Sequence, residues 1–168
     1  MAELTVKERC QPCLLDRLTD DERQSGQESR DRRVISPAHF RKAVLRDIAW
    51  LLNTPTHLKG ADLEDAPQVA SSTLHYGVPD RCGQTGTGVD PHAVERLIAE
   101  AIKRFEPRIQ PNSLRVKVNL DREQMGLRAL QLAIEGQMWS QPMPEHLYMK
   151  TELDLQTGKI ALEDRANG

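Results

Sequence analysis

Two stretches of the chain, residues 36–53 and 91–105, place their apolar side chains at helical spacing; beyond residue 113 the apolar positions alternate with polar ones instead. This change of period predicts helices first and strands after them. Ser36-Pro37 opens the first helix with a cap and a proline at the first helical position. Phe40, Val44, Ile48, Leu51 and Leu52 form its core stripe, Trp50 is expected to cover the edge of that stripe, and Asn53 and Pro55 end the helix. The second helix runs from Pro91 to Phe105 behind an Asp90 cap. Val94, Leu97, Ile98, Ala101, Ile102 and Phe105 form its buried side, and Glu95, Arg96, Glu100, Lys103 and Arg104 form a solvated one. Between the helices, Pro67 to Pro79 reads as a short buried segment closed by Gly77 and Pro79.

Four strands are expected after residue 113. Leu114, Val116, Val118 and Leu120 alternate with Arg115, Lys117 and Asn119; Leu130, Leu132 and Ile134 alternate with Gln131, Ala133 and Glu135. Leu147, Met149, Thr151, Leu153 and Leu155 form the third strand, residues 156–159 a turn, and Ile160 to Leu162 the fourth. Clean alternation means an antiparallel sheet with one face against helices. The fold class is therefore α+β: two main helices packed on one face of a small, mainly antiparallel sheet of about four strands that ends in a β-hairpin. Such a sheet has an edge that another chain's strand can extend, and residues 153–162 are the expected edge.

A length of 168 residues suits one domain with a real core. The formal charge is −2, from 25 acidic and 23 basic residues, so neither nucleic acid nor an anionic membrane is implied as a partner. Apolar runs fall far short of a membrane span, and the first residues lack the apolar stretch of a signal peptide, so a cytoplasmic location without membrane insertion is expected. Residues 1–12 are polar. The small apolar patch at Leu14, Leu15 and Leu18 is expected to dock on the body or on a partner, and residues 19–33, with no large apolar side chain, read as a flexible linker.

Candidate chemistry is sparse. Cys10 and Cys13 form a C-x-x-C, but no second such pair or histidine pair completes a zinc site, and with Cys82 the odd count fits unpaired thiols. No metal or cofactor is expected. The glycine-rich stretch from Cys82 to Val89 lacks the Gly-Lys-[Ser/Thr] of a P-loop, and Asp90 would already occupy the helix end a phosphate needs. Glu64-Asp65, Glu106 and Asp154 are acidic candidates for glycoside hydrolysis, but a carboxylate held by a cation is a poor general acid, and Glu106 lies beside Arg108.

The helix exit at Glu106-Pro107-Arg108 is more informative. Proline stops the helix and pushes its predecessor toward an extended conformation, where residues two apart point the same way. Glu106 and Arg108 are then held outward together, an arrangement suited to gripping a protein partner. The alternative from spacing alone is that Glu106 and Arg108 pair with each other, or cap the helix end, on a solvated surface.

Five stretches in this order, Leu14-Leu-Asp-Arg-Leu18, Arg46-Asp-Ile-Ala-Trp-Leu-Leu-Asn-Thr54, Leu74-His-Tyr-Gly-Val-Pro-Asp80, Phe105-Glu-Pro-Arg-Ile109 and Thr151-Glu-Leu-Asp-Leu-Gln-Thr-Gly158, together resemble the TssE family. These are baseplate subunits of the bacterial type VI secretion system, related to the lysozyme-like wedge protein of contractile phage tails. His75 stands where the pattern has asparagine. The resemblance implies a non-enzymatic structural subunit that joins TssF and TssG in the wedge and offers a sheath-like surface on which the sheath subunits TssB and TssC begin to assemble. It assigns partner binding to Glu106, Pro107 and Arg108, and a division into a docking segment with linker at 1–33 and a lysozyme-like wedge domain at 34–168. The competing expectations are a peptidoglycan-cleaving enzyme and a generic protein-binding regulatory module.

Overall fold

A computed structural model describes residues 12–19, 35–56, 65–80, 90–119, 129–139 and 144–163. Its elements run α1 (Leu14–Leu18), α2 (Pro37–Asn53), β1 (Pro55–Thr56), α3 (Pro67–Ala70), a 3-10 turn (Thr73–His75), β2 (Val78–Pro79), α4 (Pro91–Phe105), β3 (Arg115–Asn119), β4 (Ala129–Met138), β5 (Glu145–Asp154) and β6 (Ile160–Glu163). β3 to β6 form one antiparallel sheet in sequence order, and β1 pairs with β2 in parallel. This is the expected α+β architecture. The glycine-rich stretch, Cys10, Glu64, Leu120 and most of the expected linker lie outside the described residues.

Local chemistry sets the helix starts. Ser36 Oγ accepts the His39 amide at 3.2 Å and Asp90 Oδ1 accepts that of His92 at 3.0 Å, each ahead of a proline. The two helices cover the inward face of the sheet. Ile48, Leu51 and Leu52 of α2 and Ile98 and Ile102 of α4 share one core with Leu130, Leu132 and Ile134 of β4 and Leu147 and Met149 of β5. Burial alternates along β4 and β5 as the period of two requires.

Three expectations change. Pro67 to Pro79 is not a buried segment: two short helical turns leave Leu74 exposed, and Gly77 is its fully buried position. Gly77 has φ +115° and lies against Thr54, whose carbonyl accepts the Val78 amide at 3.0 Å and so starts the β1–β2 pairing. Trp50 is half-exposed, with the Arg46 guanidinium 5.0 Å above its ring, rather than a lid on the stripe. The expected edge at 153–162 is only partly an edge, because β5 lies between β4 and β6.

Each true edge is met by a side chain at one residue. On β6, Asn53 Nδ2 donates to the Ile160 carbonyl at 3.0 Å and its Oδ1 accepts the Ile160 amide at 2.9 Å, as a neighbouring strand would. The next outward-facing backbone pair on that edge is at Leu162. On β3, Glu95 Oε1 accepts the Val118 amide at 2.9 Å, so a side chain expected on the solvated face closes the sheet instead. That bond, and then His92, hold the Glu95 carboxyl below the usual carboxylate range. Capping limits unplanned strand addition.

Candidate functional site

The site is built at the end of α4. The Glu106 amide donates to the Ile102 carbonyl at 2.8 Å and completes the helix, and Pro107 cannot continue it. The Ile109 amide then returns to the Glu106 carbonyl at 3.2 Å. The exit is therefore a closed turn, not the extended segment expected from Pro107. Beyond it Ile109 bridges Met138 at the end of β4, and the Arg108 carbonyl accepts the Trp139 amide at 2.7 Å, which fixes the turn to the sheet.

The turn folds Glu106 and Arg108 together. Arg108 Nε donates to Glu106 Oε1 at 2.6 Å and its Nη2 donates to Oε2 at 2.5 Å, a two-pronged ion pair. Glu106 is only 3% exposed, and the Arg108 side chain 22%. The expected outward pair of charges is therefore corrected: the acid is sealed and the base half-covered, and the two groups satisfy each other. A buried carboxylate is tolerated only with such a partner. Pro107 is exposed at the tip of the turn.

Sequence spacing missed the residue that completes the pair. Asp47, 61 positions earlier on α2, accepts Arg108 Nη2 on Oδ2 at 2.6 Å. Its Oδ1 accepts Arg46 Nε and Nη2 at 2.9 and 2.8 Å. Arg46 in turn donates from Nη1 to Asp16 Oδ1 of α1, and from Nη2 to Cys13 Sγ at 3.3 Å. Five charged side chains from three separate stretches thus form one ladder: Asp16, Arg46, Asp47, Arg108 and Glu106. The ladder raises both arginines above their ordinary values through their carboxylate bonds, against the opposing effect of burial. Burial, and then the nearby Asp47 and Glu106, push the Tyr76 phenol up. The Tyr76 ring meets Phe105 edge-on at 5.3 Å.

α1 is tied to the body through Asp16 and Cys13, while the leucine patch expected to dock on the body or on a partner does not pack on the body. None of its residues is buried, and Leu14 and Leu18 are 70% and 74% exposed. Among the described residues its hydrogen bonds to the body end on Arg46. The Arg46 bond holds the Asp16 carboxyl below the usual carboxylate range. A depressed native value contributes stability that is fully present above the unfolded value, about 3.9, and is lost as pH falls through the native one. Limited proteolysis after residues 14–18 is therefore expected to be insensitive to pH between 5 and 8 and to accelerate below about pH 4, before the core melts. Early cleavage at neutral pH would contradict this.

The acidic candidates are committed elsewhere. Glu106 is held by Arg108, and Asp154 organises the β5–β6 turn by accepting the Gln156 amide at 2.7 Å and the Thr157 hydroxyl at 2.9 Å. Asp65 is exposed. An open groove of about 210 Å³ between the end of α2, β2, α4 and the β5–β6 turn is lined, among the described residues, mainly by apolar side chains such as Leu52, Leu97 and Ile160, with Asp80 as the one carboxylate among them. Among the described residues no three His, Cys, Asp or Glu side chains gather to hold a metal, and no helix is long and apolar enough to cross a membrane.

The family model for the baseplate wedge protein gp25 matches residues 38–143, a span that holds Arg46-Asp47, Gly77 and Glu106-Pro107-Arg108. No curated protein matches the chain. Among solved structures, a Geobacter sulfurreducens protein provisionally described as a tail lysozyme is similar at 18% identity, over 79% of this chain and 98% of that one, with a TM-score of 0.45.

Proposed function

The chain belongs to the baseplate wedge protein gp25 family, and a structural role in a baseplate follows; on that premise we propose that it serves in the baseplate of a type VI secretion system. Its work there is that of the TssE subunits its sequence resembles. It joins TssF and TssG in the wedge, in the cytoplasm, and offers TssB and TssC a surface on which the sheath starts. It does so without catalysis or a cofactor. Residues 34–168 form the wedge domain, and 1–33 its docking segment and linker.

The observation that carries this reading is the family match over 38–143, which contains both halves of the charge ladder's core, Asp47 and Arg108. Within it the partner-binding element is Glu106-Pro107-Arg108, with a division of labour. Pro107 and the outer part of Arg108 meet the neighbouring subunit, and buried Glu106 aims the guanidinium. Charges of this kind set orientation more than affinity.

The test is co-purification with TssF and TssG. Lysine keeps the charge of Arg108 but cannot fill a planar fork. Arg108→Lys is expected to lower recovery of the wedge complex about tenfold, a difference of about 1.4 kcal/mol, and to leave few sheaths. Assays run well below the variant's melting temperature separate this from unfolding. Recovery and sheath number at the native level would remove the role of this corner.

A further inference from the structure

The ladder joins two features that the sequence keeps apart, the exposed leucine helix α1 and the turn at Glu106-Pro107-Arg108. We propose that Arg46 and Asp47 are positioning residues that make the seating of α1 and the set of this turn one equilibrium, so that a change at either feature changes the other. The proposal concerns the chain by itself and stands or falls apart from the baseplate reading.

α1 is the weakly held end of the ladder. It has five residues, far below the ~12–15 an isolated helix needs in water, and no buried side chain to hold it. Its position therefore depends on Arg46. Arg46 has one donor edge, Nε and Nη2, on Asp47 Oδ1; this turns Nη1 toward Asp16 and leaves Nη2 near Cys13 Sγ. Asp47 can present Oδ1 in that direction because Oδ2 is held by Arg108 at 2.6 Å. Arg108 is fixed in turn by both oxygens of Glu106, in a turn tied to α4 and β4. Each link orients the next, and the inmost one, Glu106, is the most buried. Order thus passes from the packed corner outward to a helix that has little of its own. The consequence is a display mechanism: Leu14 and Leu18 are held toward solvent in a set orientation only while the corner is intact.

Linkage requires the coupling to be reciprocal. The α1 end is read by hydrogen exchange of the Arg17 and Thr19 amides, which donate to the Cys13 and Leu15 carbonyls. Arg46→Ala removes the anchor and is expected to abolish their protection. Asp47→Asn keeps the shape but leaves one acceptor oxygen for two arginines, and is expected to lower protection about tenfold. Arg108→Ala, which changes a residue with no bond to α1, is expected to lower it about fivefold, the weak end of ordinary coupling. The other end is read from the Arg108 Nε–H, which donates to Glu106. Asp16→Asn, outside the core, is expected to speed its exchange by a factor up to that for Arg108→Ala. Asp16→Asn keeps the test decisive if Arg108→Ala melts too low. The proposal is overturned if core amides of α2 and α4 stay protected in these variants while Arg17, Thr19 and the Arg108 Nε–H exchange as in the native chain.

Discussion

Glu106→Ala is expected to lower the melting temperature by about 10 °C. Breaking a buried ion pair by removing one partner costs about 3–5 kcal/mol, because the other charge is left uncompensated. Here the lower end applies. Arg108 keeps Asp47, and its side chain retains 22% exposure, so water compensates part of the loss. About 3 kcal/mol at about 2–4 °C each gives the stated shift. Glu106→Gln, with one acceptor kept, is expected to lose about half as much. Thermal unfolding followed by far-ultraviolet circular dichroism measures both. A Glu106→Ala protein melting within 2 °C of the native chain would show that the pair contributes nothing to the fold. Loss of assembly in that variant must accordingly be read against its stability, which is why Arg108→Lys is the cleaner probe of partner binding.

The second large effect falls on Gly77→Ala. The φ of +115° is one that side-chain-bearing residues rarely adopt, and an added Cβ would sit 2.3 Å from the Thr54 carbonyl oxygen. Backbone cannot give way as a side chain can. Relief requires moving either Gly77 or the end of α2, and either motion pulls the Val78 amide from the Thr54 carbonyl it reaches at 3.0 Å. Strain of about 1–3 kcal/mol and the loss of a hydrogen bond worth about 1 kcal/mol together come to about 3 kcal/mol. The signature is local as well as global: exchange at the Val78 amide should rise more than at the Ile102 or Leu132 amides of the core. Equal rises at all three would mean that the strain is not stored at this crossing.

Much of the fold was legible because its signals are local. Prolines and caps at 36–37 and 90–91 act within one helical turn, and the observed helices begin there. Alternation in the strands acts across two residues, and the register follows it. The turn after β5 was also readable, since Asp154 and Gly158 stand where its geometry needs a side-chain acceptor and a positive φ.

The misses share another cause. Asn53 read as a helix stop, yet it also completes the β6 edge 107 positions away. Glu95 read as a solvated charge, yet it closes β3. Glu106 and Arg108 were singled out by Pro107, but an extended exit was the wrong geometry. The closed turn and the counter-charge from Asp47 made the acid a buried one. Arg46-Asp47 did lie in a stretch that carried the family resemblance, which was the one available hint of their weight.

Read by itself, the order of residues determined the element sequence, the helix boundaries and the face each strand buries, because those depend on neighbours within a turn or a pleat. Only tertiary contact decided which charges meet and which are sealed. An ion pair takes its energy from the distance and burial of groups that the chain brings together from far apart, and neither quantity has a period in the sequence.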